Sequence, residues 1–213
     1  MTDSPETMSL HDVMYNCRAM RKLDTRDVPE EMLIKLVDAA NQAPSGSNMQ
    51  GMRWLVVRDA DQRAKIAELN KTAVEAYLQM QAASAESLPH QDAEKRKRMF
   101  AAVKWQADNM QNIPALMIAC YVFDEPVPPE MAAFAGASVW PGVQNLLLTA
   151  RAMGLGAAPT TLGLTDRKAF KDVVNMPENI EPYALVPVGW PLGNFGPVTR
   201  LPVEETIIWD KWD

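Results

Sequence analysis

The segment Ala115-Leu116-Met117-Ile118-Ala119-Cys120-Tyr121-Val122 constrains the fold more than any other part of the chain. An unbroken apolar run of this length reads as a strand buried on both faces. Even with its flanks, Ile113 to Phe123, it is too short to cross a bilayer. Trp54-Leu55-Val56-Val57 is a second short apolar strand. Tyr183 to Trp190 is a third, in which Pro187 argues for an edge position or a bulge.

Helical patterns separate the strands. Ser9-Leu10-His11-Asp12 has the spacing of a capping box and opens a helix to about Arg18. Pro29-Glu30-Glu31 opens another, with Met32, Leu33, Leu36, Val37 and Ala40 on one face and Pro44 as its stop. A helix from about Asp61 to Gln81 precedes a polar stretch, Ala82 to Lys97, which reads as a surface excursion or lid. A further helix reaches about Gln111. Asp124 to Glu130 is a proline-rich loop. Phe134 to Met153 is the longest helical pattern, ended by Gly154 and Gly156. Thr165 to Val174 is shorter. The order of elements predicts an α+β fold, organised as a single domain over residues 1–213.

Composition narrows the function. The formal charge of −6 argues against a nucleic-acid binder, whose phosphate contacts need a basic face. It argues equally against an anionic membrane surface. Cys17, Cys120, His11 and His90 are isolated in sequence, so no metal site and no disulfide framework is expected. The polar, acidic Met1 to Glu6 is unlike a signal peptide, and a cytoplasmic location is expected. Most of the 14 methionines are read as core filler.

Three segments could carry chemistry. Arg18 and Arg21, three apart, and Arg200 in Gly196-Pro197-Val198-Thr199-Arg200 suit phosphate, because a planar guanidinium offers paired donors. A solvated face with arginines paired to Asp24 or Asp27 is the alternative. Pro44-Ser45-Gly46-Ser47-Asn48-Met49-Gln50 brings small residues and polar side chains to one loop, or simply connects a helix to a strand. Gly154-Leu155-Gly156 ends a helix, and the Ala157-Ala158-Pro159-Thr160-Thr161 that follows could pass its backbone beside a flat ligand. Lys95-Arg96-Lys97-Arg98 reads as a solvated helix start rather than as a phosphate reader for NADPH.

In this order and over nearly the whole chain, the segments resemble the FMN-dependent nitroreductase family. The resemblance is carried by Arg18-Ala19-Met20-Arg21-Lys22-Leu23, by Ala43 to Gln50 leading into the strand at Trp54, by Val143-Gln144-Asn145-Leu146 through Gly156, and by Val188-Gly189-Trp190-Pro191 followed by Arg200 and Pro202. It implies a sandwich around a small, mostly antiparallel sheet flanked by helices. It also implies an intertwined homodimer with FMN at the subunit interface. Arg18 and Arg200 would hold the FMN phosphate, with Ala19 and Met20 beside them, and Arg21 the pyrimidine edge. Pro44, Ser45, Ser47, Asn48 and Gln50 would reach the flavin from the other subunit. Pro159, Thr160 and Thr161 would run along the ring near N5. The tail over about 201–213 would wrap the partner, and a variable lid would lie over about 81–98.

The activity so implied is hydride transfer from NADH or NADPH through FMN to an electron-poor small molecule, such as a nitroaromatic or quinone, by a ping-pong cycle. No side chain would act as nucleophile or metal ligand. Reductive dehalogenation, heterocycle oxidation and a non-catalytic flavin-binding dimer are the alternatives. The chain departs from the family wording at Cys17, where an arginine is usual, at Ala19, where serine is usual, and at Gly51-Met52 in place of Pro-Trp.

Overall fold

The computed structural model describes residues 8–83 and 92–212. Its centre is a four-stranded sheet of order β1-β2-β4-β3, antiparallel throughout. The strands are β1 (Met52–Val57), β2 (Ala115–Val122), β3 (Gly156–Ala157) and β4 (Ile180–Gly189). Seven α-helices are described: α1 (Leu10–Asn16), α2 (Glu30–Asn41), α3 (Ala60–Ala83), α4 (Ala93–Asn109), α5 (Pro129–Ala135), α6 (Trp140–Ala152) and α7 (Arg167–Val174). The fold is the expected α+β sandwich.

The alternation of β2 explains the layering. Ala115, Met117, Ala119 and Tyr121 join Leu33 and Leu36 of α2 and Val143 and Leu146 of α6 in one core. Leu116, Ile118 and Cys120 point the other way, to Ile66 of α3 and Phe170 of α7. Successive strand side chains face opposite sides, so a strand apolar at every position forces helices onto both faces. A bulge between Ala119 and Cys120, opposite Pro182 to Ala184, resets the register. It places the consecutive residues Tyr183 and Ala184 in the same core, as an inserted residue does.

Two expectations are corrected. The pattern from Phe134 to Met153 is not one helix. It breaks into α5, a 3₁₀ turn at Gly136–Ser138 and α6, and α3, at 24 residues, is the longest. Pro141 is the physical cause: it has no N–H to donate and its ring opposes the carbonyl four residues back, so the helix restarts with proline in its first turn. Nor does Pro187 mark an edge strand or a bulge of its own. β4 is interior, pairing β2 along its length. On its other side β3 pairs only Val188 and Gly189, and Thr160 bridges Leu185. Pro187 stands between those two contacts, where its missing donor costs no ladder bond.

The cap of α1 is as read: the Ser9 hydroxyl accepts from the Asp12 N–H at 3.1 Å. Of the excursion expected over 81–98, residues 84–91 lie outside those described, as do Met1 to Glu6 and His90; residues from Ala93 onward are already α4, capped by Asp92. No helix among the described residues is long and apolar enough to cross a membrane.

Ile118 is fully buried in the second core. Ile118→Ala is expected to lower unfolding free energy by about 2–5 kcal/mol, read from the urea midpoint at unchanged m-value.

Candidate functional site

The segment 17–24 crosses the β3 side of the sheet and is held by backbone bonds on two sides. Met20 N–H donates to Ala157 O at 3.1 Å. Asp24 N–H donates to Trp190 O at 2.7 Å, and Leu192 N–H to Lys22 O at 3.0 Å. Met20 and Leu23 are buried in the second core; Met20, expected beside the phosphate arginines, spends its N–H on β3 and does not line their cavity. Gly156 permits the close passage: a Cβ there would lie 2.6 Å from Leu23 Cδ2 and 2.9 Å from Met20 Cβ. The C-terminal segment comes alongside. Val198 N–H donates to Tyr15 O at 3.0 Å, and Gly196 faces the Arg18 guanidinium.

These contacts bring Arg18, Ala19, Arg21 and Arg200 to the wall of one cavity of about 580 Å³. Cys17 and Thr199 line it too. The solvated ion-pair alternative fails for both arginines near the N terminus. Asp27 pairs with Arg58 at 2.8 Å, and Asp24 Oδ1 accepts from the Arg26 N–H. Among the described residues no carboxylate lies in salt-bridge range of Arg18, Arg21 or Arg200. Burial pulls the Arg21 pKa below its ordinary value, opposed by the nearby Tyr77. A half-buried cation without a counter-charge is an anion site by its chemistry. Burial pushes the Cys17 thiol upward, against the pull of Arg151 and Arg200, and the thiol donates to Leu147 O. Cys17 therefore adds no charge to the wall.

A second source of cations, read from the sequence as a solvated helix start, joins the arginines. Lys95 and Arg98 of α4 line the same cavity, with Met99 and Ala102. Both are exposed, as a solvated helix start requires, yet both face the arginines. The spacing 95, 98, 99, 102 is one helical face, and it was the available signal.

The other expected residues lie elsewhere. Ser45 and Gln50 line a separate cavity of about 450 Å³ with Trp54 and Ser138. Pro44, Ser47 and Asn48 are exposed in the same loop. None of the five lines the arginine cavity. Sheet order explains the separation: the loop leads into β1 at one edge and the arginines cross β3 at the other. Three strand spacings lie between, roughly 14 Å. The loop is itself strained. Ser47, Asn48 and Gln50 all have positive φ, which costs about 1–3 kcal/mol each for non-glycine residues and gathers where ligands bind. It is pinned by Gly46 N–H to Ser138 Oγ at 3.0 Å and Gln50 N–H to Ser45 Oγ at 3.1 Å. The buried Trp54 Nε1 has no partner among the described residues. Pro159, Thr160 and Thr161 follow β3. Thr160 commits its N–H and its C=O to Leu185, so its backbone serves the sheet. No metal-binding cluster of His, Cys, Asp or Glu occurs among the described residues.

An α+β sandwich with a cation-lined cavity at one sheet edge is suited to an anionic ligand. The chain belongs to the Nitroreductase family, whose sequence model matches residues 16–190. It is 28% identical over 202 residues to an iodotyrosine deiodinase of Thermotoga neapolitana, spanning 93% of this chain and 96% of that one. It is 29% identical over 197 residues to an NADH dehydrogenase of Thermus thermophilus, with 90% and 91% covered. Its fold superposes on the crystal structure of an oxidised iodotyrosine deiodinase bound to FMN and 3-iodo-L-tyrosine. That TM-score is 0.74 at 23% identity, covering 96% of this chain and all of the other.

Gly156→Val is expected to destabilise the protein by about 1–3 kcal/mol, because the added carbons overpack Met20 and Leu23. Chemical denaturation measures it; an unchanged midpoint would show that the segment is not pinned against β3.

Proposed function

We propose that this protein is an FMN-dependent NAD(P)H oxidoreductase that works as a homodimer and passes hydride to an electron-poor small molecule such as a nitroaromatic or quinone. The observation that carries the reading is the convergence of Arg18, Arg21 and Arg200, from segments far apart in sequence, on one cavity without a carboxylate. That donor set fits the flavin nucleotide. Arg18 and Arg200, exposed and forked, suit its phosphate. Arg21, less hydrated, suits the ring edge on which negative charge collects.

When bound, FMN supplies the hydride-accepting and hydride-donating centre. The chain binds it, orients it and neutralises its charge. Arg21 stabilises the electron-rich state of the adjacent edge and so favours acceptance of hydride from NADH or NADPH. Pro159 and Thr161 would border the ring, with Thr160 anchoring that stretch to β4. No side chain needs to act as a nucleophile.

Two features support a two-chain site. The loop at Pro44, Ser45, Ser47, Asn48 and Gln50 is remote from the arginines of its own chain, so a partner would supply it. The tail is laid out for a partner as well. Trp209 and Trp212 are 78% and 81% exposed, and Ile207 and Ile208 are also exposed. Apolar surface of this kind marks an association face.

A second reading, reductive dehalogenation, is favoured by the likeness to the deiodinases. A Glu, Tyr and Lys set would be its signature. Glu75 and Tyr77 lie two apart on α3, about 200° around the helix. Tyr77 is directed towards Arg21 and Phe100, whereas Glu75 is exposed. The two do not converge, and this favours the reductase.

Anaerobic NADH or NADPH is expected to bleach the yellow of the FMN-loaded protein, and a quinone to restore it. Iodide release from 3-iodo-L-tyrosine by dithionite-reduced protein that neither NADH nor NADPH bleaches would select the dehalogenase instead. Arg18→Ala with Arg200→Ala is expected to weaken FMN binding by about a hundredfold or more, since charge-assisted bonds are worth roughly 1.5–3 kcal/mol each. Flavin fluorescence reads it. Removal of residues 201–213 is expected to convert dimer to monomer in sedimentation velocity and to lose FMN with it.

A further inference from the structure

We propose that Lys95 and Arg98 of α4 are phosphate ligands, forming with Arg18 and Arg200 a four-cation clamp that docks α4 when the flavin nucleotide binds. The inference rests on the flavin reading above and adds to it a phosphate role for the start of a helix that the family resemblance gives only as part of a variable lid. All four cations line one cavity. On α4, Lys95, Arg98, Met99 and Ala102 recur at intervals of three, one and three, so a single face is presented to the arginines. Of the neighbouring cations, Arg96 lies over the Phe100 ring and lines an adjoining cavity with Lys95, Thr199 and Arg200, whereas Lys97 is exposed outside both cavities.

The acid balance agrees. Lys95 Nζ lies 3.5 Å from Asp92 Oδ2, an exposed pair, and such a pair contributes little. Among the described residues Arg98 has no carboxylate in salt-bridge range. Asp92 is largely engaged in capping, its Oδ1 accepting the Lys95 N–H at 2.6 Å. On the opposite wall, Cys17 stands where the family resemblance expects an arginine. Its thiol donates to Leu147 O and supplies no charge. The cations of α4 restore what that position lacks. A dianionic phosphate between the two walls would draw them together, because each wall alone is a cluster of like charges.

The test compares FMN with riboflavin, which has the same ring and no phosphate, by flavin fluorescence titration of the full chain. Lys95→Gln with Arg98→Gln is expected to raise the FMN dissociation constant about tenfold to a hundredfold, as loss of charge-assisted phosphate bonds does, and to leave riboflavin unchanged. Lys97→Gln, on the other face, is expected to change neither. In the wild type, FMN but not riboflavin is expected to slow tryptic cleavage at Lys95 to Arg98. FMN affinity in the double variant within twofold of wild type would overturn the clamp, as would an equal loss for both flavins or equal protection by both. A wild type that binds neither flavin would reject the flavin reading itself, and the clamp with it.

Discussion

Everything polar in this protein is arranged around a strand that can hold nothing polar. β2 is buried from Ala115 to Tyr121 and carries apolar side chains to both faces. Helices must cover it above and below, which leaves the ends and edges of the sheet as places for charge. The arginine segment uses the β3 edge and the strained loop the β1 edge. A single sheet thus holds the two segments apart, and in the proposed homodimer a second chain brings them together.

The cationic cavity runs against the character of the chain as a whole. The protein is acidic, with a formal charge of −6, yet Arg18, Arg21, Lys95, Arg98 and Arg200 share one cavity. Such clustering raises the local potential and steers anions inward. It also costs stability, because like charges repel and Arg21 is partly removed from water. The main-chain bonds from Met20 to Ala157, from Asp24 to Trp190 and from Leu192 to Lys22 hold the segment in place regardless of what occupies the cavity. Binding an anion would relieve the repulsion and so stabilise the fold in proportion to occupancy.

Some of this was legible in the sequence. β2 and β4 were visible because burial on both faces leaves an apolar run that needs no knowledge of the partner strand, and the half-buried β1 because Trp54 to Val57 is apolar throughout. The helix at Glu30 was visible because its capping proline, acidic first turn and apolar face agree. Arg18, Ala19, Arg21 and Arg200 were legible as a group through the family resemblance, and the structure brings them to one cavity. Lys95 and Arg98 were passed over because exposed charge on a helix looks alike whether it faces water or a second wall of cations. Pro187 was misread because a gap between a two-residue ladder and a single bridge has no local signature. The break at Gly136–Ser138 was missed because apolar spacing continued through it, although Pro141 announced it.

Sequence alone determined most of the elements, the burial of β2, the absence of a basic character overall and the family, though not β3 or the break between α5 and α6. These follow from local patterns: side-chain period, caps and breakers act over a few residues and can be read there. Tertiary structure decided which charges meet. Residues 18, 98 and 200 are distant along the chain and share one cavity only because β3 and β4 carry the segments of 18 and 200 to one edge while α4, packed on α3, brings 98 to them. It decided equally that the loop at 44–50 stands away from them, since strand order, unlike strand identity, is settled by packing across the whole sheet.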